Sequence, residues 1–328
     1  MMDVRSNRFE SLNVYEKEVF SRIKKATDRW NMDNISRTKA YQSYFLRNPE
    51  LFWPFLASMV SRNAGWNMGD LILKEFRVMM RAEDRRWIFD TYERANWLIF
   101  SDAYPQLLVY EASKQASRPL FHLLEHFHVS SFMETEWKRY WEEKGRNRLD
   151  TALIINEQNL IQKPVIENPR YQTSVFNTMP FWLQERFHFS TVLFPTRSGD
   201  LYGLSVHGFK KLRNRIILGK RLLALLTSSC LKDHFIRFAI HTEPTGARTD
   251  YEQYFRSRGY EDHCFPLRAV YPIIGHHRQD FSDWSKSGHQ VEPFFKPVKL
   301  PKHLHLNEWY AHKRYELYVL SKVKAHLL

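Results

Sequence analysis

The chain has 328 residues with 49 Lys and Arg against 36 Asp and Glu, a formal net charge of +13, and 43% of its residues are hydrophobic. That is enough apolar material for one large domain or two smaller ones, and it excludes a disordered chain. Only 11 Gly and 14 Pro occur, which favours long regular elements over a turn-rich sandwich or barrel. No apolar run reaches the ~18 residues needed to span a bilayer, and the first residues lack the apolar core of a signal peptide, so a cytoplasmic protein is expected. Cys230 and Cys264 stand apart without a paired motif, and reduced core thiols are expected rather than a disulfide or a zinc-thiolate site.

In chain order, Leu12, Tyr15, Val19, Phe20 and Ile23 recur at helical spacing over 11–29, and a second helix is predicted from Ser36 or Arg37 to Leu46. Asn48 is expected to cap a third helix, with Pro49 at its first position and Pro54 tightening or bending its first turns. The segment Ser61-Arg62-Asn63-Ala64-Gly65-Trp66-Asn67-Met68-Gly69-Asp70 is the densest polar and glycine-bearing stretch. As one continuous helix it would place Asn63, Asn67 and Asp70 on one face beside a small-residue row of Ala57, Ser61, Gly65 and Gly69. The alternative, preferred on local grounds, ends the helix at Gly65 and lets Asn67 cap a new one running from Met68 to Arg81. A helix over 84–101 comes next, and Asp102 with Pro105 in the succeeding turn predicts a helical hairpin there. Ser131 with Glu134 has the form of a capping box, for a helix that Gly145 should end.

Prolines 164, 169 and 180 make the best boundary, dividing an all-helical lobe, 1–163, from a basic one, 164–328. The first 150 residues carry 24 cations against 21 acids and the remainder 25 against 15, so the positive charge belongs to the C-terminal half. Thr191–Phe194 and Leu201–Val206 flank Thr196-Arg197-Ser198-Gly199-Asp200 and read as a β-hairpin. Phe209 to Leu226 is a long amphipathic helix, a further one covers about 231–240, 257–305 is irregular, and a last helix is predicted over 307–325. The expected fold is therefore mainly α: a multi-helix, bundle-like globule in two lobes with one small β-hairpin near residues 190–206.

The strings Ser61 to Met68, Glu93-Arg94-Ala95-Asn96-Trp97-Leu98-Ile99-Phe100-Ser101-Asp102-Ala103-Tyr104-Pro105-Gln106-Leu107 and Leu218-Gly219-Lys220-Arg221 resemble a family from spore-forming Gram-positive bacteria, domain of unknown function 2515. The resemblance spans most of the chain and implies a cytoplasmic bacterial protein. It implies no activity and no catalytic residue.

Several constellations invite chemistry. His122-Leu123-Leu124-Glu125-His126 matches H-x-x-E-H, in which two imidazoles one helical turn apart bind zinc while the glutamate activates water. Its apolar neighbours favour a packed helix. The scattered His263, His276, His277, His289, His303 and His305 with Asp280 and Asp283 fit no ligand spacing and read as surface or core histidines of a loop-rich segment; neither metal nor cofactor is expected. Lys210, Lys211, Arg213, Arg215, Lys220 and Arg221 place six cations and no acid between Gly208 and Arg221. They form either the solvated edge of an amphipathic helix or an anion-binding surface. The leading expectation is a protein that binds a polyanion, nucleic acid before an anionic membrane surface, through its basic C-terminal half. One alternative is an enzyme acting on a phosphorylated small molecule in an interhelical pocket of Arg62, Asn63, Asn67, Asp70, Glu93, Arg94, Asn96 and Asp102. Another is a structural adaptor without a small ligand.

Overall fold

The computed structural model describes residues 10–176, 191–205, 208–255, 264–288 and 290–327. The chain folds mainly as helices: α1 (Val14–Trp30), α2 (Asn34–Arg47), α3 (Trp53–Asp70), α4 (Lys74–Met79), α5 (Ala82–Gln115), α6 (Ser131–Glu143), α7 (Arg146–Leu160), α8 (Leu212–Leu226), α9 (Lys232–His241) and α10 (Asn307–Leu327). Beside them stands the expected hairpin, β1 (Thr191–Pro195) against β2 (Leu201–Ser205), in a register that pairs Thr191 with Ser205 and Pro195 with Leu201. No described helix is long and apolar enough to cross a membrane.

Several helix ends differ from the local expectation. Asn48 closes α2 instead of opening α3, which starts at Trp53 with Pro54 in its first turn. The first free N–H groups of α3 find their acceptor far away: the Asp150 carboxylate of α7 takes Trp53 N at 2.9 Å and Phe52 N at 3.2 Å. A cap from another helix leaves no local signature. Ser130, one residue before the expected position, caps α6, and Lys144 in the left-handed region (φ 55°) ends it, with Gly145 opening α7. A complete capping box stands instead at the start of α1, formed by Asn13 with Glu16.

Two predicted breaks do not occur. Helix α3 runs straight through Gly65, and the small-residue row is used for close approach: a Cβ on Gly69 would lie 2.3 Å from Gly246 O, and one on Gly65 would lie 3.5 Å from Gly246 Cα. A loop, rather than a second helix, fills the groove. Likewise α5 continues for 34 residues with Pro105 inside it, a length of about 50 Å. Every residue from Asp102 to Leu107 is buried, so burial of that turn outweighs the hydrogen bond the proline removes.

The larger core gathers Tyr44, Trp53 and Phe55 from α2 and α3, Phe100 and Leu107 from α5, Trp137 from α6 and Ile154 from α7. The same core takes Phe194 from β1, Ile216 from α8, Phe235 and Phe238 from α9 and Tyr310 from α10. A smaller core joins Met68, Phe76 and Phe89 to Ile161, Val175, Leu267 and Leu317. Both therefore draw on residues from either side of position 163, where the chain passes through a π-helical turn, Gln162–Ile166. The described parts of 257–305 contain only short turns, as expected, and residues 256–263 lie outside the description.

Candidate functional site

The polar end of α3 is built to hold other elements in place. Arg62, buried at 2% exposure, donates from Nη1 to Thr242 O at 2.8 Å and from Nη2 to Ala239 O at 3.2 Å. It thereby satisfies the final carbonyls of α9, where a cation also suits the negative helix end. Burial pushes its guanidinium down to about 10. One residue on, Asn63 imitates a strand residue: its Oδ1 accepts from Leu193 N at 3.0 Å and its Nδ2 donates to Thr191 O at 3.3 Å. The opposite edge of the hairpin is covered by residues 304–306, with Gly203 N donating to Leu304 O and Leu306 N donating to Leu201 O. Both edges are thus closed against further pairing.

Asn67 bonds the Tyr92 hydroxyl, and Asp70 pairs with the buried Arg248 at 2.6 Å. Burial still carries the Asp70 carboxyl up to about 6, against the pull of Arg248. Glu93 makes a two-pronged pair with Arg37, at 2.6 and 3.1 Å. Arg94 lies over the Trp97 ring, 5.2 Å from its centroid, and Asn96 donates to Tyr92 O. Asp102, expected to cap a helix, sits inside α5 and accepts from Gln106 Nε2 at 2.6 Å and Asn156 Nδ2 at 2.7 Å, while Arg278 approaches to 3.8 Å. Desolvation holds its carboxyl above the usual range. The eight side chains do not converge. Each is engaged where it stands, by a neighbouring helix, the hairpin or its own turn.

The H-x-x-E-H segment forms a 3-10 turn, Phe121–Phe127, rather than an α-helix. At three residues per turn, positions four apart leave a common face. His122 accordingly pairs with Glu16 of α1 at 3.2 Å, while His126 meets Phe20 edge-on. Among the other histidines, His276 lies against Trp97 with Nε2 3.9 Å from Glu93, and burial lowers it to about 4. His305 sits on Tyr202, His277 and His303 are exposed, and His263 and His289 lie outside the described residues. Asp283 opens the turn Trp284–Ser287 and accepts from Ser131 of α6. No cluster of three or more metal-ligating residues exists among the described residues. Neither cysteine is in a disulfide; Cys230 is exposed instead of lying in the core, and Cys264 is half-buried against the smaller core.

Around α8 the six cations divide. Arg215 is buried and donates to Gln158 Oε1 at 2.9 Å and Phe209 O at 2.9 Å, and burial lowers it to about 10. Lys220 donates to the carbonyls of Phe294 and Lys296, and Arg221 to that of Lys299 at 3.1 Å. Lys211 and Arg213 are exposed, with Lys210 half-buried beside them. Lys220 and Arg221 therefore bind backbone and hold a further basic segment against the helix. From Pro293 to Asn307 that segment contains Lys296, Lys299, Lys302, His303 and His305 and no acid, and its three lysines are exposed. The signal for it was in the sequence, as lysine at every third position among prolines 297 and 301. Helical periodicity does not detect that spacing.

The family model for a protein of unknown function (DUF2515) matches residues 29–311. An uncharacterised protein, YppC of Bacillus subtilis (strain 168), is 47% identical over 320 residues, covering 95% of this chain and 98% of that protein. No solved structure matches the chain.

Proposed function

Because the chain belongs to the DUF2515 family of proteins of unknown function, whose membership names no ligand, we propose from its own surface that it is a cytoplasmic nucleic-acid-binding protein. The observation that carries this reading is the pinning of Phe294–Lys299 onto α8 by Lys220 and Arg221. The buried Lys220 and the half-buried Arg221 thereby bring exposed lysines 296, 299 and 302 to the helix that carries Lys211 and Arg213. Lys220 lies seven residues beyond Arg213, two turns or roughly 10 Å along the same side of α8. The resulting positive surface has the scale of several phosphate spacings along a nucleic-acid backbone. Extended, acid-free charge of this kind contacts phosphate without reading sequence.

Fluorescence anisotropy with a labelled duplex at several salt concentrations tests the proposal. Binding is expected to weaken steeply with salt, because each phosphate contact releases condensed counterions. Changing Lys296, Lys299 and Lys302 together to Gln is expected to lower the log–log salt slope by about 2 to 3, at close to 0.9 per lost contact. Thermal stability should hardly change, since exposed charges contribute little to folding. Absence of duplex binding at low salt would end the proposal. Binding only to vesicles rich in phosphatidylserine would replace it with an anionic membrane surface.

A further inference from the structure

Between α2, α3, α5 and α7 lies a cavity of about 430 Å³, counting the solvent space at its mouth. Its floor includes Tyr41, 3% exposed, whose hydroxyl has no hydrogen-bond partner. Glu157 and Asn96, both half-buried, also line it. The remaining wall is largely apolar, with Leu56, Val60 and Ile99. A lone buried hydroxyl is costly unless something completes it.

The donor and acceptor inventory selects the ligand. Arg37 also lines the cavity, but all five of its N–H groups have acceptors: Nε on Asn31 Oδ1, Nη1 on Asn34 Oδ1 and Glu93 Oε2, and Nη2 on Asn31 O and Glu93 Oε1. It offers no donor to a ligand. Asn96 has one N–H on Tyr92 O and retains its Oδ1. Ser61 donates to Asn34 O and retains lone pairs. Glu157 accepts from Gln158 Nε2 at 3.1 Å, and this one neutral donor leaves lone pairs on its oxygens. Apart from the Tyr41 O–H and the second N–H groups of Asn96 and Gln158, the open polar groups of the lining are acceptors.

The charges agree. From α2 the cavity sees Arg37, from α5 it sees Glu93 behind Arg37, and from α7 it sees Glu157; α3 contributes no charged lining residue. Asp102 lies farther off and faces Arg278, and His276 faces Glu93. Arg37 and Glu93 cancel, which leaves one carboxyl without a cation among the described residues. Burial pushes that Glu157 carboxyl up to about 7, the behaviour of an acid whose counter-charge is missing.

We infer that this cavity is a binding site for a small primary alkylammonium ion, with the ammonium donating to Glu157, Tyr41 Oη and Asn96 Oδ1 and the alkyl chain resting on Leu56, Val60 and Ile99. A hydroxyl ligand would have one donor for these acceptors, and a carboxylate would meet Glu157 with like charge. The inference does not rest on the nucleic-acid reading, although the buried Arg215 of α8 reaches Gln158 of the cavity wall.

Ligand-observed NMR titrations with n-butylammonium, n-butanol and butyrate test this on the whole chain. The ammonium is expected to bind at least about tenfold more tightly than the alcohol, since a charge-assisted bond in a shielded site is much stronger than a neutral one, and butyrate should not bind. Glu157→Gln should abolish the preference for the ammonium. Ala57→Leu, which fills the cavity without altering a polar group, should abolish binding of both probes. Should Glu157→Gln fail to fold, Tyr41→Phe is expected to weaken the ammonium several-fold while leaving the alkyl contacts intact. Equal affinity for alcohol and ammonium, a preference for butyrate, or ammonium binding unchanged in Glu157→Gln or Tyr41→Phe would each overturn the assignment. So would the absence of millimolar binding by the folded wild-type chain.

Discussion

At Arg37, 1% exposed, five N–H groups meet five acceptors, two of them the oxygens of the equally buried Glu93. A buried ion pair of this kind stabilises little relative to well-packed apolar residues, because desolvation opposes the Coulomb attraction. Breaking it is another matter. Glu93→Gln would leave the guanidinium charged and uncompensated in the interior, and is expected to cost about 3–5 kcal/mol in urea unfolding. The double change Arg37→Met with Glu93→Leu should be markedly less harmful than the sum of the single changes. A double variant as unstable as that sum would mean the pair itself, rather than its completeness, stabilises the fold. Much of the polar content of the proposed interhelical site has this character: Arg62, Asn63, Asp70 and Asp102 are buried and engaged with other parts of the fold. Residue type alone does not distinguish a buried Asn that holds a strand from one that waits for a ligand.

Among the elements, α3 illustrates how ends are decided at a distance. Its N-terminal N–H groups rest on Asp150, nearly a hundred residues later in the chain. Asp150 is 1% exposed, and burial raises its carboxyl from an ordinary 3.8 to about 7, against the pull of those N–H groups and Arg146. The folded state then holds the proton more tightly than the unfolded chain does. The contribution of Asp150 is most favourable below about pH 4, is lost as pH rises from there to about 7, and is constant above. Asp150→Asn keeps an acceptor for Trp53 and Phe52 while removing the charge. It is expected to flatten the fall in stability over that interval by roughly 2–4 kcal/mol, read as the difference between the two proteins in denaturant unfolding at pH 4, 5.5, 7 and 8. A variant whose pH profile parallels that of the wild type would show that the carboxylate is ionised throughout.

For the whole molecule, the decisive fact is that both cores are assembled from either side of position 163. Arg62 of α3 holds the end of α9, Asp70 holds Arg248, and Arg268 pairs with Asp33 at 2.6 Å. With so many contacts between early and late segments, the N- and C-terminal halves are expected to unfold together. Thermal transitions monitored by far-UV circular dichroism and by tryptophan fluorescence should coincide. Two resolved transitions would show that the proline-bearing boundary separates cooperative units. Charge belongs to this scale as well, because the basic surface joins a helix to a segment about eighty residues away in the chain, through hydrogen bonds to its backbone.

Short-range physics set the features that the amino-acid sequence determined by itself. Helical periodicity located α1, α2, α8, α9 and α10 to within a few residues, alternation with a Gly-bearing turn located the hairpin, and composition indicated a mainly helical protein with its positive charge in the C-terminal half. The family was legible too, from three strings of residues. Tertiary structure decided where local signals compete with packing. Gly65 and Pro105 ordinarily mark a helix end, yet the Gly246 loop needs the bare backbone of α3, and the buried turn around Asp102 carries α5 through its proline. The geometry at His122 and His126, the cap from Asp150, the pinning of Phe294–Lys299 and the cavity at Tyr41 all depend on residues brought together from distant positions. A local window contains one partner of each such contact, and the free energy that chooses the structure belongs to the pair.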